Sequence, residues 1–154
     1  MILLKNDILP RRKLWVLYTR FERPMKREFK EKLRSLSVAV VYLFGSRAIR
    51  KASPLSDTDI GVVVREMRPE QDTRGQYDTL FKIFSDLYPD SRVDIVFLQR
   101  APLALQFSAI KEGKVIFEQD PVFRADYENL VVKQYLDFRP VLEFFDRVAA
   151  ERYA

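Results

Sequence analysis

The sequence predicts a single α/β (α+β) domain, on three observations. Short apolar runs of strand length, Val38 to Phe44, Ile60 to Val64 and Ser91 to Leu98, are separated by segments whose apolar residues recur at helical spacing. Pro and Gly stand at the joints between them. The chain has 154 residues, enough for one domain with a core and too few for two comfortable ones. A hydrophobic share of 47% beside 32% charged residues and only four glycines excludes a disordered chain. No apolar run approaches the roughly 20 residues of a membrane span. No secretory signal pattern is present either, so a cytoplasmic protein without membrane contact is expected.

The chain contains neither Cys nor His. That removes zinc sites of the usual kind, thiol catalysis and a His general base, and leaves carboxylate, hydroxyl, Lys, Arg and backbone groups for any chemistry. The formal net charge is +5, yet residues 1–24 carry six basic side chains against Asp7 and Glu22 and so account for +4 of it. The basic signal belongs to that leader, and a basic nucleic-acid groove on the body is not expected. The leader itself, with Arg11-Arg12-Lys13 ahead of Trp15-Val16-Leu17-Tyr18, has no clean period. It reads as a short strand, a docking arm or a grip on nucleic acid.

From Lys26 to Leu36 a helix is expected, because Phe29, Leu33 and Leu36 keep helical spacing and Glu28 faces Lys32. Val38 to Phe44 is continuously apolar, the mark of a central strand covered on both faces. It delivers Gly45-Ser46, where Gly45 permits a tight turn and Ser46 can open a short helix whose free N–H groups meet a phosphate. Residues 47–56 read as one helical turn and a loop ended by Pro54. The next strand carries Asp57 and Asp59 on one face, with Thr58 and Ile60 on the other. Two carboxylates so placed repel each other unless a cation neutralises them, and a hard ion such as Mg²⁺ suits an all-oxygen donor set.

Pro69 to Tyr88 is expected as a helix with Tyr77, Leu80, Phe81, Phe84, Leu87 and Tyr88 as its core stripe. In the strand after it Asp94 is the only acid, costly to bury, and is expected near the strand's exposed end. A short helix opens at Ala101-Pro102-Leu103 and ends at Glu112-Gly113, followed by an edge strand, Lys114 to Glu118. Asp120-Pro121 caps a long final helix with Phe123, Tyr127, Leu130, Val131, Tyr135 and Phe138 on its apolar face. Pro140 is expected to kink or break that helix, and Val141, Leu142, Phe144, Phe145 and Val148 continue the pattern beyond it. Core packing is the first expectation for Phe144 and Phe145, and a docking face the second.

In Gly45-Ser46, ten further residues, Asp57-x-Asp59 and a third acid, Asp94, on a later strand, the sequence resembles the minimal nucleotidyltransferases (MNT) of the DNA polymerase beta superfamily. Asp-x-Asp alone is weak, since it also marks metal-dependent glycosyltransferases and acids that simply face water at sheet ends. The full constellation is specific. The resemblance implies a polymerase-beta-like nucleotidyltransferase fold, a small mixed sheet flanked by helices with the C-terminal long helix kinked at Pro140. It implies Asp57, Asp59 and Asp94 as catalytic residues and as ligands of Mg²⁺ or Mn²⁺, and Gly45, Ser46, Arg47 and Ser56 as nucleotide-binding residues for ATP. Members commonly begin with a helix just ahead of the first strand, so residues 25–154 are assigned to the nucleotidyltransferase domain. Residues 1–24 form a basic leader, with Met25 the expected start of translation. Arg50 departs from the family, which usually carries a second Gly there.

The reaction so implied is nucleotidyl transfer to a hydroxyl. Many small members resemble the antitoxin half of HEPN/MNT toxin-antitoxin pairs, and the resemblance then implies transfer of AMP from ATP to a tyrosine of a cognate HEPN ribonuclease toxin. The chain's size agrees, since no second domain is left to hold another acceptor. Two alternatives stay open: an antitoxin that neutralises its partner by contact alone, and transfer to a small molecule or an RNA end.

Overall fold

A computed structural model describes residues 24–45 and 57–153, and in it the apolar runs of the sequence pair into one four-stranded sheet. The expectations for the leader and for Ser46, Arg47, Arg50 and Ser56 fall outside the described residues. Helix α1 (Arg27–Ser35) leads into strand β1 (Val38–Phe44), and β2 (Thr58–Val64) returns antiparallel beside it. Helix α2 (Arg74–Leu87) crosses over to β3 (Val93–Phe97), which lies parallel to β2. A 3₁₀ turn (Leu98–Arg100) and α3 (Leu103–Glu112) carry the chain to β4 (Lys114–Glu118), antiparallel to β1, and α4 (Pro121–Tyr153) follows. The strand order is β3-β2-β1-β4, so β1 is an inner strand and β4 an edge, as the sequence implied.

An inner strand of such a layered fold must be apolar on both faces, and β1 and β2 are. One face, with Val41, Ile60 and Val62, is covered by Leu33 of α1 and by Leu80, Ile83 and Phe84 of α2. The other, with Val40, Tyr42, Phe44 and Val63, is covered by Ala109 of α3 and by Phe123 and Tyr127 of α4. Each fully buried aliphatic or Phe side chain contributes roughly 1.5–3 kcal/mol relative to exposure.

Helix α2 begins at Arg74 rather than at Pro69. The guanidinium of Arg100 donates to the carbonyls of Arg68 and Gln71, at 2.9 and 2.6 Å, and so takes acceptors that an earlier helical turn would use. Asp72 then accepts the N–H of Arg74 at 3.0 Å. Of the expected core stripe, Leu80, Phe84 and Leu87 are buried, whereas Phe81 is exposed and Ile83 takes the inward position. Past the end of β3, the side-chain amide of Gln99 stands in for a strand: it accepts the N–H of Val64 at 3.0 Å and donates to its carbonyl at 2.6 Å.

Asp120 caps α4 as expected, with Oδ1 accepting the N–H groups of Val122 and Phe123 and Oδ2 paired with Arg65 at 2.9 Å. The Tyr42 hydroxyl donates to Glu128 at 2.8 Å, the Tyr127 hydroxyl to Gln106 at 2.9 Å, and Tyr135 stacks on Phe107 with ring centroids 3.9 Å apart. The helix does not break at Pro140. That residue lacks only one N–H and sits on an exposed stretch where the orphaned carbonyl of Leu136 can turn to solvent. The core-packing expectation for Phe144 and Phe145 is overturned, since both are exposed. The reason is length. Strands of five to seven residues span about 17–24 Å, while the 33 residues of α4 span about 50 Å and outrun the sheet.

Candidate active site

Because β2 and β3 run parallel, their register sets Asp59 directly beside Asp94. Neighbouring strands lie about 4.8 Å apart, so two carboxylates from distant parts of the chain stand on one face as immediate neighbours. They project from the face covered by α3 and α4, since Ile60 and Val62 on the alternate positions belong to the opposite core. Strand β1 arrives at the same end from the other side. Phe44 is the cross-strand partner of Asp59, and Gly45 comes next. Gly45 adopts φ 74°, the left-handed region that favours glycine. A Cβ built on it would lie 2.0 Å from Oδ2 of Asp59. The turn therefore needs glycine for its conformation and again because the Asp59 carboxylate occupies the side-chain space.

Thr58, the first residue of β2, between Asp57 and Asp59, is fully buried and its hydroxyl is hydrogen-bonded to that of Ser91. Its N–H donates to the carbonyl of Arg92 at 2.7 Å. These bonds tie the start of β2 to the lead-in of β3 and hold Asp59 and Asp94 in register. Sequence reasoning missed this pair. The signal was a hydroxyl residue, Thr58, in strand register with the apolar Ile60 and Val62.

The Asp59 carboxyl is held above the usual carboxylate range by partial burial, and further by the negative charges of Asp94 and Asp57. Asp57 lies one residue before β2 and is exposed, as is Asp94. The three acids thus share one end of the sheet. Among the described residues, however, no three His, Cys, Asp or Glu side chains are arranged to enclose a metal ion. The chemistry of the donor set, oxygen only and mutually repelling, fits a hard divalent cation. A cleft of about 900 Å³ lined by Ser37, Arg65, Glu66, Arg68 and Gln76 opens at the opposite end, where Val38 meets Val64, and lies away from these acids.

Residues 27–122 match the family described as polymerase beta, nucleotidyltransferase. The chain belongs to that family. It is a nucleotidyltransferase, and the resemblance drawn from Gly45-Ser46, Asp57, Asp59 and Asp94 is borne out at the level of the family. Among curated proteins none matches the chain. Among solved structures, a toxin-antitoxin complex with AMP-PNP contains a chain 25% identical to this nucleotidyltransferase, with a TM-score of 0.60 over 84% of this chain and 100% of that one. A chain of the MntA-HepT toxin-antitoxin structure is 22% identical, with a TM-score of 0.53 over 84% and 100%. A chain of the tri-AMPylated HEPN toxin in complex with MNT antitoxin, from Shewanella oneidensis, is 22% identical with a TM-score of 0.55 over 80% and 98%. The last two share the fold. Among the described residues no helix of this nucleotidyltransferase is long and apolar enough to cross a membrane.

Proposed function

We propose that this nucleotidyltransferase moves AMP from ATP to a tyrosine hydroxyl of a cognate HEPN ribonuclease toxin, and acts in the cytoplasm as the antitoxin of the pair. The observation that carries the reading is the register pairing of Asp59 with Asp94, next to a glycine whose side-chain space the Asp59 carboxylate occupies. The likeness to a toxin-antitoxin complex solved with AMP-PNP supports a nucleotide substrate, and the fold shared with the complex of an AMPylated HEPN toxin supports a protein acceptor.

In this reading the triphosphate lies along Gly45 and the residues that follow it, with Ser46, Arg47 and Ser56 as its further contacts. Mg²⁺ or Mn²⁺ held by Asp57, Asp59 and Asp94 would neutralise charge on the α-phosphate and on the leaving pyrophosphate. The acceptor oxygen attacks the α-phosphorus, the bond from that phosphorus to the bridging oxygen breaks, and pyrophosphate departs. With no His in the chain, the hydroxyl proton passes to a carboxylate. Asp94 takes that role, being more exposed than Asp59 toward the solvent from which the acceptor arrives.

The test mixes the purified protein with the product of the adjacent gene, ATP and Mg²⁺, and follows the partner by mass spectrometry. A gain of one or more adenylyl groups on a tyrosine is expected. Asp94→Asn is expected to bind both ATP and the partner and to transfer nothing. A wild type that restrains the partner with no mass gained, matched by Asp94→Asn, would identify a contact-only antitoxin and overturn the enzymatic reading.

A further inference from the structure

Along α4, Phe123, Tyr127, Val131 and Tyr135 lie on one face and pack against the body. At about 100° per residue, Phe138, Val141, Phe145 and Val148 continue that same face. There it is bare: these four are 45%, 40%, 63% and 37% exposed, and Phe144 beside them is 52% exposed. Residues 138–153 extend about 24 Å. The helix starts at the end of the sheet away from the acids, where Asp120 pairs with Arg65, and by Glu128 it has reached Tyr42, close to Gly45. It covers the sheet face from which Asp59 and Asp94 project and heads toward their end.

We propose that this bare face seats the folded protein that accepts the nucleotidyl group. The acceptor presents a groove lined by aliphatic side chains, and docking brings its hydroxyl to Asp59 and Asp94. The inference rests on transfer to a protein, as proposed above, and adds the surface that selects it. Val141, Phe144, Phe145 and Val148 stand at positions i, i+3, i+4 and i+7, the anchor spacing of a helix laid into an apolar groove. Charges along the same segment balance, with Arg139, Arg147 and Arg152 against Glu143, Asp146 and Glu151, so nothing there draws nucleic acid or an anionic membrane. A second copy of the chain would need no placement toward the catalytic end, whereas a substrate does.

The experiment uses the full chain with Val141→Asp and Phe145→Asp together, the product of the adjacent gene, ATP and Mg²⁺. Both positions are exposed, so melting temperature and ATP affinity are expected to be unchanged, while KM for the partner protein rises about tenfold or more. An unchanged KM in a folded variant overturns the proposal. If the wild type transfers no AMP to that protein, the function proposed above fails, and the face is judged by direct association instead. About tenfold weaker association of the variant upholds it, and equal association, or none by the wild type, overturns it. A wild-type dimer that the variant splits with no change in partner affinity assigns the face to a second copy and overturns it as well.

Discussion

At Gly45 two constraints meet in one residue: a left-handed backbone and a carboxylate oxygen lying where a methyl group would have to go. Gly45→Ala therefore carries two separable effects. The backbone term costs about 1–2 kcal/mol of stability. The steric term moves the Asp59 carboxylate off Asp94, and a displacement of that kind lowers transfer about a hundredfold. Melting curves beside single-turnover assays are expected to show a modest loss of stability with a much larger loss of rate. A variant that melts much earlier yet keeps its rate per folded molecule would mean that Asp59 is not held by this contact.

Among the elements, α4 depends on its cap. The Asp120 carboxyl is held below the usual carboxylate range, chiefly by the Phe123 N–H, with Arg65 and the Val122 N–H adding to it against some desolvation. A carboxyl whose folded value lies below its unfolded one stabilises the fold at pH above the unfolded value of about 3.9, and loses that contribution as pH falls through the folded value. Asp120→Ala is thus expected to melt earlier than wild type at neutral pH, with the gap closing in acid. A gap that stays constant down to the acid limit would show that the carboxylate's charge has no part in the cap. The Asp120-Pro121 start was legible because a cap is local chemistry. The start of α2 was not, because the Arg100 side chain that takes the carbonyls of Arg68 and Gln71 comes from across the fold. Gln99 bonding to Val64 escaped notice for the same reason.

For the whole molecule, the body and the distal half of α4 are separable. Val131 is the last fully buried residue of the chain among those described. Ending the chain after Arg139 is expected to cost about 1 kcal/mol or less, a melting shift of roughly 2–4 °C. ATP binding should survive while association with the partner is lost, and calorimetry with and without ATP reads both. Continuous apolar runs made β1 and β2 legible, and the spacing of Gly45, Asp57, Asp59 and Asp94 pointed to their common end. The register that sets Asp59 against Asp94 could not be read, since it depends on how far the α2 crossover carries the chain. Nor could the exposure of Phe144 and Phe145, because an amphipathic pattern looks the same whether its apolar face is covered or bare.

The strand order has a consequence for synthesis on the ribosome. β1 is made early, yet among the described residues one of its edges is closed by β4 alone, at residues Lys114–Glu118. For the whole interval between them a nascent chain presents Val-Ala-Val-Val-Tyr-Leu-Phe, uncharged and strongly strand-forming, with a row of unpaired backbone groups. Translation that stalls after β3 releases a three-stranded sheet in which Asp59 and Asp94 can already be paired but whose apolar edge is open to like chains.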